Sequence, residues 1–274
     1  KVEAAQARLD KIPAILKRFR QSVLAAATSG ELTKEWRKAH RERSNSLSNF
    51  FIEEYDGSRL TELPANWGYV EFKNAAIIKS NLVDPKLSPK SIHLAPNHIE
   101  PNTGRVLEQV TVEEDGVKSS KHRFFEGQLI YSKIRPYLNK VCLVSFSGLC
   151  SADMYPIEPK IDEKYLLYVM LSEQFVFFAS QQQGRVVLPK INQKALNKIP
   201  IPVPPEREQT EISRKVEELL SKAEIVERQY WAAKRSISHL NQSILSKAFK
   251  GELLSNTVNS EIEAIENSIE ALNA

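Results

Sequence analysis

The residues of this chain whose types could do chemistry at short range fall into two basic segments. Tyr131, Lys133, Arg135, Tyr137 and Lys140 alternate around Arg135-Pro136, where the proline disfavours the helical region for Arg135 and predicts an extended bend. Arg185 and Lys190 come just after the amide-rich Gln181-Gln182-Gln183 and Gly184. Lysine neutralises phosphates, arginine and neutral amides can read base edges, and tyrosine can stack on or hydrogen-bond to bases. Lys133, Arg135, Tyr137, Lys140, Arg185 and Lys190 are therefore expected to form one basic face that contacts nucleic acid. A solvated strand followed by a polar helix end would have the same spacing, so both readings stay open at this level.

Other chemistry is mostly missing from the text. There is no glycine-rich phosphate loop, nucleophile elbow or zinc spacing. His93 and His98 flank Pro96 and could pair on a metal, but they read as solvated loop histidines. Glu113-Glu114-Asp115 precedes Gly116 and reads as an exposed hairpin turn, while Cys142 and Cys150 read as small buried hydrophobes. The expectation is no catalytic residue, no metal ligand and no cofactor.

Such a face has to be held by a scaffold, and the scaffold is written twice. Gln21-Ser22-Val23-Leu24, Ala27 and Gly30-Glu31-Leu32 return as Gln242-Ser243-Ile244-Leu245, Ala248 and Gly251-Glu252-Leu253. Upstream, Val2, Ala5, Leu9, Ile12, Leu16, Phe19 and Val23 advance by three and four, and the same offset reaches Ala223, Val226, Tyr230, Ala233, Ile237, Leu240 and Ile244. Two such stripes can bury each other as a coiled coil. The second extends back through Leu219, Val216 and Ile212, so about 40 residues from Pro205 to Gly251 read as one helix about 60 Å long. Pro204-Pro205 with Glu206, Glu208 and Glu211 supplies its start, and Gly251 its cap. The first stripe shows no start signal, which is expected of a piece cut from a longer chain, and Pro13 should interrupt it.

Between the stripes the period changes. Residues 34–61 are polar and read as a linker with a short turn around Phe50-Phe51-Ile52. Arg105 to Val112, Gln128 to Ser132, Lys140 to Phe146 and Cys150 to Ile157 read as strands, and Tyr165 to Gln183 as one helix closed by Gly184. Asn192 should cap a short helix, followed by a proline-rich passage from Ile199 to Pro205. Strands and helices without βαβ alternation imply an α+β fold.

The chain has 274 residues, net charge +4 and pI near 8.9. That balance allows a polyanionic partner without requiring one. No apolar run reaches the ~18 residues of a membrane span and no signal peptide is visible, so a cytoplasmic protein without a membrane partner is expected.

Several ordered phrases resemble the specificity subunit of type I restriction-modification systems. They are Leu63-Pro64-x-x-Trp67, the run Gly127 to Tyr137, Lys190-Ile191-Asn192-Gln193-x-x-Leu196, Ile201-Pro202-x-Pro204-Pro205 followed by Glu208-Gln209, and the ending Ser243 to Leu253. The resemblance implies a central conserved helix at 1–33, the linker at 34–61, a target recognition domain at 62–204, a distal conserved helix at 205–254 and an acidic tail at 255–274 that can form a short helix. It implies an antiparallel coiled-coil spacer and a non-catalytic subunit that reads one half of a bipartite double-stranded DNA target. The implied partners are methyltransferase (modification) subunits, the restriction subunit through the assembled complex, and another copy through the long helices. A structural coiled-coil adaptor whose middle domain binds protein is the competing expectation.

Overall fold

A computed structural model describes residues 2–40, 45–53, 60–181, 188–250 and 257–270. The chain forms two compact units, one of residues 23–216 and one that joins residues 1–22 to 217–274.

Helices α1 (Val2–Leu9) and α2 (Ile12–Ser29) make up the first stripe. They part at Asp10-Lys11, just ahead of Pro13, which suits the first turn of a helix but not its interior. Gly30, at φ +81°, follows α2, and Leu32 N donates to Ala26 O at 2.9 Å. A third helix, α3 (Lys34–Ala39), occupies the start of the stretch read as linker, and the short turn expected nearby is a 3-10 turn at Ser48–Phe50.

The middle of the chain then runs β1 (Gly68–Glu71), α4 (Phe72–Ala75), β2 (Ala76–Ile78), β3 (Leu82–Val83), β4 (Ile92–Leu94), β5 (Val110–Thr111), β6 (Lys121–Phe124), β7 (Leu129–Ser132), β8 (Val141–Leu143), β9 (Gly148–Cys150) and β10 (Met154–Pro159). Helices α5 (Glu163–Leu171), α6 (Glu173–Ser180) and α7 (Gln193–Leu196) follow, then β11 (Pro200–Val203), α8 (Glu206–Phe249) and α9 (Thr257–Glu270). The strands form sheets ordered β1-β11, β2-β10-β7-β8 and β3-β6-β9-β4-β5. The fold is α+β, as expected.

Four details differ from the sequence reading. The helix expected from Tyr165 is broken at Ser172, whose hydroxyl donates to Val169 O at 2.6 Å and accepts from Phe175 N at 3.3 Å, ending α5 and capping α6; Gln182, Gln183 and Gly184 lie outside the described residues. The strand expected from Cys150 to Ile157 is two, β9 and β10, because a turn at Ser151–Asp153 separates them. Of the stretch from Arg105 to Val112, only Val110–Thr111 is a strand. The proline-rich passage includes a true strand: β11 pairs with β1 alone, so the missing N–H groups of Pro200 and Pro202 remove no second ladder.

The core of the strand region joins the sheets through Leu94, Ile99, Phe124, Ile130, Cys142, Val144, Cys150 and Met154. Both cysteines are free and buried, and burial pushes the Cys142 thiol up to about 12. They behave as the small hydrophobes expected.

At the start of α8, Glu208 is fully buried and accepts three hydrogen bonds. Thr33 Oγ1 donates to Oε1 at 2.7 Å, Arg37 Nε to Oε1 at 2.8 Å, and Trp67 Nε1 to Oε2 at 2.9 Å. The Arg37 guanidinium also lies 5.5 Å from the Trp67 ring centre and donates to Gly30 O. Next to it, Gln209 accepts from Asp162 N at 2.9 Å and donates to Pro204 O at 2.9 Å. Ser213 donates to Asp162 Oδ1 at 2.7 Å, the same oxygen that caps α5.

In the other unit the two stripes pack antiparallel. Leu9 clusters with Tyr230 and Ile237, with Ile12, Ala233 and Ile269 of α9 around them. Arg20 pairs with Glu227 at 2.8 Å, while Asp10, earlier in the chain, lies 3.9 Å from Lys234, later in α8. Not every seam position is covered: Phe19 stays 37% exposed and Val226 41% exposed. The buried positions nevertheless keep the seven-residue spacing across the break at Asp10-Lys11, at Leu9, Leu16 and Val23 in the first stripe and at Ala223, Tyr230 and Ile237 in the second.

Two stability predictions result. Glu208→Ala leaves a guanidinium, an indole N–H and a hydroxyl unpaired in a buried site and should cost about 3–5 kcal/mol, with a smaller loss for Glu208→Gln, measured from urea unfolding midpoints at unchanged slope. Ile237→Ala should cost about 2–4 kcal/mol and Ile237→Asp more, because the carboxylate would be desolvated against the apolar side chains of Leu9, Ile12 and Ala233. Equal stability of Ile237→Asp and the parent in the same titration would rule out the packed seam.

Candidate nucleic-acid interface

The basic segment begins where β7 leaves the sheet. Strand β7 sits between β10 and β8, and all four of its residues are buried. Tyr131 belongs to this strand and not to an outer edge: it is fully buried, edge-on to Phe175 at 5.9 Å, and burial pushes its phenol well up. It drops out of the basic and aromatic run because Leu129, Ile130 and Tyr131 all lie between packed layers.

Beyond Ser132 the chain is zipped to a distant segment. Ile134 bridges Lys190, Ile191 N donates to Lys133 O at 2.9 Å, and Arg135 N donates to Pro189 O at 2.8 Å. This pairing brings together Lys133, Arg135 and Lys190, which the sequence places in two separate clusters. Lys133 and Lys190 converge on Asp153, at 3.9 and 3.0 Å. Lys133 also donates to Ala152 O at 2.7 Å and lies 5.4 Å from the Tyr155 ring centre. Asp153 and Tyr155 are thus part of this face, although nothing in their spacing marks them beforehand.

Arg135 does not adopt the extended bend expected before proline. It has φ +46° and ψ 58°, as Asn139 does at φ +45°, and the two bracket a 3-10 turn at Pro136–Leu138. Its N–H is committed to Pro189 O and its carbonyl accepts from Leu138 N at 2.8 Å, so pairing on both sides overrides the pre-proline preference. The turn packs against α6. Its outward side chains are Arg135, which is exposed, and Tyr137, at 49% exposure.

Lys140 points elsewhere. Its Nζ donates to Pro96 O at 2.5 Å, and burial pulls its amine below the ordinary lysine range. Asn192 caps α7 as expected, accepting from Ala195 N at 2.9 Å just after Lys190. Arg185 lies outside the described residues. The structure therefore gathers Lys133, Arg135, Tyr137 and Lys190, with the tips of Arg135, Tyr137 and Lys190 more open than the 23% exposed Lys133, and ties Lys140 into a neighbouring turn.

His93 and His98 are not solvated. Each is 2% exposed, because β4 carries His93 into the five-stranded sheet and the Pro96–His98 turn folds His98 back beside it. Asp115, in the turn read as exposed, reaches His93 Nδ1 at 2.5 Å.

Residues 67–233 match the family model of the type I restriction modification DNA specificity domain. The specificity subunit of the type I restriction enzyme EcoDI from Escherichia coli is 49% identical over 279 residues, which cover 99% of this chain and 62% of that protein. The EcoKI specificity subunit from Escherichia coli strain K12 is 30% identical over 297 residues, covering 99% of this chain and 57% of that protein. The chain thus spans roughly three fifths of the length of these relatives. Among solved structures, the HsdS subunit from Thermoanaerobacter tengcongensis superposes with a TM-score of 0.55 at 19% identity, over 70% of this chain and 51% of that one. A chain from a study of complex assembly and conformational transition of the type I R-M system gives 0.54 at 17% identity, over 92% and 60%. At these identities the structures support the fold.

The left-handed turn makes a prediction. In Arg135→Gly, relief of the backbone strain opposes the larger freedom of the unfolded chain, so stability should stay within about 1 kcal/mol of the parent. Arg135→Val should be clearly less stable than Arg135→Gly, since a β-branched residue is poorly tolerated at positive φ. Urea unfolding of the two variants compares them directly.

Proposed function

The chain belongs to the family of type I restriction-modification DNA specificity domains, and from that membership we propose that it reads one half of a bipartite double-stranded DNA target. The single observation that carries the reading is the family match, which runs through the strand region and into α8. In this proposal residues 62–204 are the target recognition domain, and residues 1–33 and 205–254 are conserved spacer helices joined to it through the linker at 34–61. A bipartite target needs two readers at a fixed separation, and a helix of 44 residues, about 66 Å long, is a stiff enough ruler where a flexible linker is not.

The convergent face supports the same reading. Lys190 and Lys133 suit phosphates, whereas Arg135 and Tyr137, presented by a strained turn fixed through backbone hydrogen bonds, suit base edges. Lys140 and Arg185 complete the proposed DNA-binding set, Lys140 by buttressing the neighbouring turn. In this proposal the subunit is non-catalytic: methyl transfer belongs to methyltransferase subunits docked on the helices and recognition domain, and cleavage to a restriction subunit in the assembled complex. The adaptor alternative is not favoured, since it leaves the match to a DNA specificity domain unused.

The test is DNA binding by the full-length subunit assembled with its methyltransferase subunits, on the target found by methylome mapping with and without the subunit. Lys190→Ala should weaken binding to all sequences about equally and lower the salt slope by about one, whereas Arg135→Ala should cost about 1–3 kcal/mol and relax one base position. Binding by a combined Lys133→Ala, Arg135→Ala, Lys190→Ala subunit equal to that of the parent would rule out this face.

A further inference from the structure

At the Pro96–His98 turn, His93, His98 and Asp115 bring one nitrogen or oxygen donor each to within 4.8 Å of one another. His98 Nε2 lies 3.9 Å from Asp115 Oδ2 and 3.7 Å from Glu108 Oε1, and His93 Nδ1 lies 2.5 Å from Asp115 Oδ2. Both imidazoles are almost wholly buried, so these donors converge largely out of water.

From this geometry we propose that His93, His98 and Asp115, with Glu108 as the fourth donor, form a binding site for a zinc-class divalent cation. Tetrahedral coordination at about 2.0–2.1 Å places neighbouring donors about 3.3 Å apart, so the His98–Glu108 and His98–Asp115 separations would contract by roughly half an ångström. The His93–Asp115 contact would open by about 0.8 Å as the proton between them leaves to solvent and the ion takes its place. Two imidazoles and two carboxylates are the donor set that such an ion favours, whereas calcium and magnesium favour oxygen donors. His98 Nδ1 accepts from Ala95 N at 3.1 Å and lies 3.3 Å from the carbonyl of His93; binding an ion through Nε2 would move the ring proton to Nδ1, where His93 O can accept it. Lys121 is the positive group facing Asp115, and the two carboxylates offset its charge together with part of the ion's.

The site is a clip. Asp115 belongs to the turn after β5, His93 to β4, and His98 to the turn whose Pro96 carbonyl holds Lys140. A bound ion would pin all three, at positions separate from Lys133, Arg135 and Lys190, so the inference stands apart from the DNA-reading proposal.

Titration of the metal-free chain with Co(II), followed by its visible absorption, and with Zn(II), followed by melting temperature, tests the site. The expected result is about one equivalent of Co(II) bound in a low-symmetry, intensely coloured site, displaced by Zn(II), with a melting temperature that rises with Zn(II) concentration. His98→Gln and Asp115→Asn should each weaken binding by at least about 100-fold, because even the loss of a supporting second-layer contact costs 10–100-fold. Asp115→Asn sits on an exposed turn and keeps an acceptor for His93, so it serves as the reporter if His98→Gln does not fold by circular dichroism. Absence of the coloured species in the parent, or binding unchanged in a folded variant, would overturn the site.

Discussion

The carboxylate of Glu208 is the constraint on which the recognition unit depends. An ionised group with 0% exposure is stable only if hydrogen bonds replace its water, and here they come from the loop after α2, from α3 and from the tryptophan that opens the strand region. Satisfying one side chain therefore joins three segments that are far apart in sequence: Thr33 to Arg37, Trp67, and the start of α8. Arg37 strengthens the node by lying over Trp67 while donating to Glu208, so the charge and the aromatic ring hold one another in place. Its neighbours in α8 extend the same logic: Gln209 and Ser213 both hold Asp162, and Asp162 caps α5. The first two turns of one helix thereby set the position of the helices that cover the β7 sheet.

That sheet in turn decides what the basic loop presents. Because β7 is central and fully buried, the chain leaves it with a fixed direction, and the bridge between Ile134 and Lys190 leaves the following residues little freedom. The left-handed conformations of Arg135 and Asn139 are the cost of turning there, of order 1 kcal/mol each, and backbone pairing to Pro189 together with α6 packed on the turn holds them in place. A guanidinium held on such a turn loses less freedom on binding than one on a mobile loop.

How much of this was legible depends on whether a feature is local. The heptad stripes, the interruption at Pro13, the Asn192 cap and the proline-acid start of α8 all follow from residues within a few positions of one another, and all are present. Ser172 was equally local: a serine followed by Glu173 is a helix start, but the apolar run across it masked the break. The role of Glu208 was out of reach, since an acid in the first turn of a helix is ordinary by itself and its partners lie about 140 to 175 residues away. Tyr131 and the two histidines were misread for one reason. Polarity and spacing say which side chains could meet solvent, but the packing of sheets and turns decides which do, and here Phe175 covers Tyr131 while Asp115 folds onto His93.

The same burial divides the basic residues by role. A lysine donating to a carbonyl is also a structural donor: Lys133 on Ala152 and Lys140 on Pro96 each hold two loops together, so their ammonium groups keep their charge but are less free to follow an anion. Lys190 is different, because its partner Asp153 is itself 40% exposed and such a pair contributes little in water. An approaching phosphate could compete for Lys190 without leaving a buried carboxylate unpaired, since Asp153 would remain hydrated and near Lys133. Arg135 has no such competitor among the ion pairs of the described residues and sits on a fixed turn beside it. On the proposed function, this arrangement assigns affinity to an adjustable lysine and discrimination to a rigid arginine. The structural lysines behind them keep the distance between the two constant.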